Sequence, residues 1–166
     1  MPTIETRDIA VLSTDQVSAL TTAQTASLTT DQVAALTTSQ VSVLSSAQAK
    51  SLTTAQLVAL STAQIPYLST ASVAALTTVQ VPTIETRDIA ILSTAQITSL
   101  TTGQIVAMTT AQFAALTTAQ IVALTTAQAD AIATDDLAAL TTAQVAALTT
   151  AQLSAIGLTT TQINAL

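Results

Sequence analysis

The chain has 166 residues and a formal net charge of −6, and 49% of its residues are hydrophobic although it contains one Phe, one Tyr and no Trp. Its three basic residues cannot neutralise many phosphates, so we expect no binding to nucleic acid. Because Cys and His are absent, disulfides, thiol nucleophiles and histidine bases are excluded, and we expect no enzymatic activity.

A repeat of eight residues, here called the octad, runs through nearly the whole chain. Leu, Ile or Met occupies every eighth residue from Ile4 to Ile156, and this residue is position zero of its octad. Position one is Ser or Thr in 16 of 19 copies, position two is Ser or Thr in all 19, and position four is Gln in 15. So regular a period predicts a repeat array in which each unit buries its apolar face on its neighbours.

The octad has the pattern of a helix start. If Ser or Thr at position one is the N-cap, Gln at position four is the third helical residue and completes a capping box. Position zero and the apolar position five then form a hydrophobic staple, and the abundant Ala favours a helix. Position one lacks a hydroxyl at Glu5, Glu85 and Ala133, whereas position two keeps its Thr. Thr at position two is therefore an alternative cap, or it bonds to a neighbouring repeat.

Helices of about six or seven residues are too short to be stable alone, so the octads must stack. Almost no residues remain for linkers, and Gly occurs only at Gly103 and Gly157. We therefore predict an all-α fold, a tight α-solenoid or superhelix with one very short capped helix per octad. We expect a sharp corner at each Thr-Thr, several octads per turn, Leu and Val inside, and position six exposed. The alternative is a β-solenoid with Thr and Gln ladders, because Thr, Val and Ile favour strands.

We predict a single continuous array over residues 1–166. The segment PTIETRDIA at positions 2–10 recurs at positions 82–90, which indicates an internal duplication, ten octads long, with copies beginning at Met1 and Val81. Met1 stands where Val81 stands in the second copy, so we expect a segment of a longer array. Pro2 and Pro82 precede the duplicated segments and predict bends. Gly157-Leu158 is an insertion in the octad and predicts a helix stop with a phase shift.

No catalytic, cofactor-binding or metal site is predicted. The duplicated segments carry the densest charge, and we interpret them as solvated surface with local ion pairs rather than as a recognition spot. The acidic cluster near Asp130 lacks the spacing of a calcium-binding loop, and we interpret Ile65-Pro66-Tyr67 as a local bulge. The charged residues concerned are Glu5, Arg7 and Asp8, then Glu85, Arg87 and Asp88, then Asp130, Asp135 and Asp136.

The words LTTAQVAALTTAQ and IETRDIAxLSTxQ resemble octad arrays in very large bacterial surface and secreted proteins. Those proteins are labelled filamentous-haemagglutinin-like, adhesin or haem-utilisation proteins, and the resemblance covers essentially the whole chain. It implies a secreted or cell-surface location and a structural role. Haem would need better ligands than Met1, Met108 and Tyr67, so no cofactor is expected.

A shorter resemblance links Leu116–Leu124, LTTAQIVAL, to the opening LTPxQVVAIA of transcription-activator-like effector repeats. In that family the segment is a helix that starts near the Thr, which favours the cap at position one. The DNA-reading loop and the second helix of that family are absent here.

The leading functional hypothesis is a structural spacer or stalk segment that extends under load. One alternative is a binding module whose regular Thr-rich surface takes ice or a polysaccharide. Another is a filament segment that associates end to end. No apolar run approaches the roughly 20 residues that span a bilayer, so no membrane insertion is expected.

Overall fold

The computed structural model describes residues 5–157. This part of the chain forms 17 α-helices of five or six residues and two 3₁₀ helices, with no strand. One short helix occupies each octad, so the predicted all-α solenoid is confirmed and the β-solenoid alternative is wrong. The chain divides into two compact units, Met1–Ile84 and Glu85–Leu166, which are described separately.

The α-helices begin at position two of their octads, and the two 3₁₀ helices begin at position five. The first unit contains α1 (Thr6–Ala10), α2 (Thr14–Ser18), α3 (Thr22–Ala26), α4 (Thr30–Ala34), α5 (Thr38–Ser42), α6 (Ser46–Ser51), α7 (Thr54–Ala59) and α8 (Thr70–Ala75), with 3₁₀ helices at Ile65–Tyr67 and Val81–Thr83. The second contains α9 (Thr86–Ile91), α10 (Thr94–Ser99), α11 (Thr102–Ala107), α12 (Thr110–Ala115), α13 (Thr118–Ala123), α14 (Thr126–Asp130), α15 (Thr134–Ala138), α16 (Thr142–Ala147) and α17 (Thr150–Ala155).

The N-cap lies at position one, as predicted. In α13 the Thr117 hydroxyl accepts a hydrogen bond from the main-chain N–H of Gln120, and Gln120 Oε1 accepts one from the Thr117 N–H. The octads without a hydroxyl at position one keep the same boundary, because Glu5, Glu85 and Ala133 are still the N-caps. The alternative cap at position two is therefore wrong.

The corner between helices consists of two extended residues. Before α13, Leu116 has φ −61° and ψ 138°, and Thr117 has φ −73° and ψ 157°. Position two is already helical, so the corner lies at Leu-Thr, one residue before the predicted Thr-Thr corner. Both residues adopt ordinary negative φ values, and Gly157 is the only residue of the described part with a positive φ. The array therefore turns without the glycines that tighter loops require.

The core of each unit consists of positions zero and five. Side chains such as Leu92, Ile97, Phe113 and Ile121 are buried, as expected for inward-facing residues. Position six is mostly exposed, also as predicted, and Val106 and Val122 lie there. The two apolar columns thus hold short helices that would not be stable in isolation.

Each octad packs against the octad three places further along. In the first unit α1 contacts α4, α2 contacts α5 and α3 contacts α6, and in the second α10 contacts α13 and α13 contacts α16. Hydrogen bonds between turns join residues 28 to 31 positions apart. Within each unit, one superhelical turn therefore takes between three and four octads.

Proline changes the helix type at two octads. Pro66 and Pro82 lie in the two 3₁₀ helices, because proline has no N–H to donate to the carbonyl four residues earlier. The octads still carry buried Ile65 and Val81 at position five. Gly157, at φ 76°, follows the end of α17 as the predicted helix stop. Pro2 and Leu158 lie outside the described residues.

Candidate functional site

The position-four glutamines make hydrogen bonds both within their own octad and to the preceding turn. The Oε1 atom of Gln120 accepts from the N–H of its own cap residue, Thr117, at 2.7 Å. Its Nε2 atom donates to the carbonyl oxygens of Ile89 at 2.8 Å and Leu92 at 2.7 Å. One amide therefore closes the capping box of its own octad and fastens that octad to the turn before it.

This arrangement, here called the glutamine clasp, recurs in both units. As in Gln120, each clasp directs Nε2 to the carbonyl oxygens of positions five and zero in the preceding turn, and each glutamine is almost completely buried. Because buried acceptors need partners, the clasp satisfies the position-zero carbonyl, such as that of Leu92. At position five it adds a second bond, because the Ile89 carbonyl already accepts from the Leu92 N–H. Examples are Gln40, Gln48, Gln56, Gln64, Gln80, Gln120, Gln128, Gln144 and Gln152.

The sequence predicted that the position-four glutamine accepts a hydrogen bond in the capping box. It did not predict that the same side chain donates to the preceding turn. A capping box needs only an acceptor, so Glu would serve at position four as well as Gln. Glu never occurs there in this chain. This preference for Gln over Glu indicates that the side-chain amide also donates a hydrogen bond.

Three octads replace the glutamine within the buried region. Ser72 donates to the Leu44 carbonyl at 2.7 Å, but its shorter side chain supplies no bond to the other acceptor position of a clasp. Asp136 has no donor and instead accepts from the Thr110 hydroxyl at 2.7 Å. Asp88 is 4% exposed, and its Oδ1 has no hydrogen-bond partner. The clasp is therefore weaker or absent at these octads.

Position two contacts a neighbouring repeat in two places. The Ser46 hydroxyl donates to the Ala71 carbonyl at 3.0 Å, and the Thr110 hydroxyl donates to Asp136. Both bonds span octads that lie one turn apart. The interpretation that position two bonds to a neighbouring repeat holds for these two residues.

The duplicated charged segments carry ion pairs within one octad. Arg7 lies 2.7 Å from a Glu5 carboxylate oxygen, and Arg87 lies 2.5 Å from one of Glu85. These side chains are exposed, so the pairs contribute little to stability. The interpretation as solvated surface is correct for these four residues. It is wrong for Asp88, because the Asp88 side chain is buried.

The acidic residues near Asp130 do not converge. Asp130 and Asp135 are exposed, whereas Asp136 is buried against Thr110. Within residues 5–157, no group of three or more His, Cys, Asp or Glu side chains has the arrangement of a metal site. Tyr67, at the end of its 3₁₀ helix, is exposed. No described helix is both long and apolar enough to cross a bilayer.

The repeat itself decides the classification. The model of the ALTTAQ repeat matches residues 1–38, 51–83, 81–118 and 130–166, which together make up most of the chain. The chain belongs to the ALTTAQ repeat family. The predicted octapeptide array is therefore confirmed. No curated protein and no solved structure matches it.

Proposed function

We propose that this ALTTAQ repeat chain is a structural spacer, a stalk segment of a bacterial surface or secreted adhesin-like protein. The glutamine clasp supports this proposal most directly. The same side-chain amide joins each turn to the one before it. An array can therefore be lengthened by adding octads that make the same hydrogen bonds, and no new kind of interaction is needed. Such a segment sets a distance between other parts of a protein.

The proposal includes no catalysis and no nucleic-acid partner. Hydroxyl groups are abundant, but the chain has no His to act as a base. Two of its three basic side chains, Arg7 and Arg87, form ion pairs with glutamates of their own octads. The surface therefore offers little positive charge for phosphate.

Elasticity is part of the proposal because each turn has its own small set of bonds. Separating one turn would break a few clasps and release about 30 residues, up to roughly 100 Å of extended chain. Single-molecule pulling on the whole chain between inert handles tests this. We expect a series of small steps at low force. One all-or-none rupture at high force would contradict the elastic spacer.

A second candidate is a binding module for ice or a polysaccharide. It is favoured by the exposed position-two hydroxyls of the second unit, such as Thr118, Thr126 and Thr142. Because three to four octads complete a turn, successive hydroxyls lie around the superhelix rather than on one plane. A thermal-hysteresis assay tests the ice version, and unaltered ice crystal growth would remove it.

A further inference from the structure

The contact between α6 and α8 is built differently from the other contacts between turns. It is more extensive than the contact of any other pair of helices within either unit. No glutamine clasp joins these two helices, because position four of α8 is Ser72 and not Gln. The helices therefore pack most closely at a place where the usual amide between turns is missing.

Ser72 shows how close the two turns lie. Its Oγ donates to the Leu44 carbonyl at 2.7 Å, and Gln120 Nε2 reaches the Leu92 carbonyl at the same 2.7 Å. Donor and acceptor are 28 residues apart in both cases. The serine side chain is shorter by two covalent bonds, so the main chain of α8 must lie closer to the preceding turn, by roughly 2 Å.

A second serine bonds in the opposite direction. The Ser46 hydroxyl, at position two of α6, donates to the main-chain carbonyl of Ala71 in α8 at 3.0 Å. Ser46 is the only serine at position two of the octads, and Ser72 is the only serine at position four. Position five of α6 is also small, because it is the fully buried Ala49. The exceptional residues of the two octads thus belong to one contact.

We propose that Ser46 and Ser72 form a second type of joint between turns, here called the serine joint, which stays closed when clasped turns of the first unit open. A clasp keeps the turns far enough apart to hold a glutamine side chain. The serine joint has two hydroxyl bonds to main-chain carbonyls and adds van der Waals contact, because the main chains lie closer. Ser72 is completely buried, so water does not compete for its bond.

The serine joint makes the turns of the array unequal. In a stalk under load it confines extension to the clasped turns, because α6 and α8 stay together while the others separate. This consequence rests on the proposed spacer function. The joint itself does not, so it is tested on the free chain without load.

Native-state amide hydrogen exchange of the whole chain tests the serine joint. The N–H groups of Ala49 in α6 and Val73 in α8 are the probes, and the N–H of Val41 in α5 is the reference. All three donate to the N-cap carbonyl of their own helix at 2.9 Å, and all three side chains are buried. We expect the protection factors of Ala49 and Val73 to exceed that of Val41 by about tenfold or more.

Ser46→Ala removes one hydroxyl bond of the serine joint without adding bulk. It should lower the protection factors of Ala49 and Val73 about fivefold. The matched control is Thr54→Ala, because Thr54 has the same octad position in α7 and donates no such bond to the following turn within residues 5–157. This control should leave both probes unchanged.

Ser72→Gln introduces the usual position-four residue and should force the two turns apart. We expect it to lower the protection factors of Ala49 and Val73 by about tenfold or more. Ser39→Gln, the same substitution at an exposed serine of α5, should leave them unchanged. If Ser72→Gln does not fold, Ser46→Ala with its control decides the question.

Three results would overturn the serine joint. The first is greater protection in Ser72→Gln, because it would mean that a clasp fits between α6 and α8. The second is equal protection of the probes and of Val41 in the unaltered chain, and the third is an equal effect of Ser46→Ala and Thr54→Ala. None of them bears on the spacer proposal, which is tested by pulling on single copies.

Discussion

The side-chain amide of Gln120 reaches the main-chain carbonyl of Leu92, 28 residues earlier, at 2.7 Å. A second bond from the same nitrogen reaches Ile89. Both acceptors are main-chain atoms, so the clasp depends on the identity of the glutamine and not on the side chains that it touches. This explains why the octad tolerates variation at the acceptor positions while position four keeps its amide.

Gln120→Glu should destabilise the second unit strongly. The variant retains an oxygen for the Thr117 N–H but places a buried acceptor against two carbonyls, at a cost of about 3 kcal/mol. Urea unfolding followed by circular dichroism measures the change, and amide exchange in α13 locates it. Gln16→Glu is the matched control, because Gln16 is exposed and caps its helix in the same way. Equal effects of the two substitutions would contradict the clasp.

Thr117→Ala and Thr118→Ala should differ although the residues are adjacent and both exposed. Thr117 accepts from the Gln120 N–H at 3.2 Å, so its loss removes the cap and costs about 1 kcal/mol. Thr118 is the first helical residue and makes no comparable bond, so its replacement should change the free energy of unfolding by less than about 0.5 kcal/mol. A larger loss at Thr118 would show that position two has a role beyond the helix start.

The sequence predicts those features of the fold that depend on residues close together in the chain. The capping box joins residues three apart, so Thr117 and Gln120 predict α13 without knowledge of any other octad. The clasp joins residues 28 and 31 apart, and its partners depend on how many octads complete a turn. The same limit applies to Asp88, whose charge indicates a surface position although its side chain is buried. The sequence also links the two positions of the capping box. The three octads that lack a hydroxyl at position one, those of Glu5, Glu85 and Ala133, also have Asp in place of Gln at position four.

Phe113 provides a test of packing at position five. Its side chain is completely buried, and Leu57 fills the same octad position in the first unit. Phe113→Leu should therefore cost less than about 1.5 kcal/mol, whereas Phe113→Ala should cost about 3–5 kcal/mol because it leaves a cavity. Thermal unfolding of the two variants compares the losses. Similar small losses would indicate that the turns collapse around a shorter side chain.

Asp136→Gln should stabilise the second unit. Asp136 is buried at position four, where it accepts from Thr110 and supplies no donor to the turn before it. A glutamine there restores an Nε2 atom for the carbonyls of Ile105 and Met108, which occupy the octad positions that accept a clasp elsewhere. It also removes a buried charge. We expect a gain of about 1 kcal/mol, reduced by the loss of the Thr110 bond.

The adjacent Asp135 supplies the control for Asp136→Gln. It is exposed at the start of α15, so Asp135→Gln removes the same charge without touching the clasp. Because a carboxylate in the first turn interacts favourably with the helix dipole, this control should lose a few tenths of a kcal/mol. Urea unfolding of both variants therefore gives opposite signs if the clasp restores an inter-turn bond. A shared sign would mean that net charge, and not the donor, governs stability at this octad.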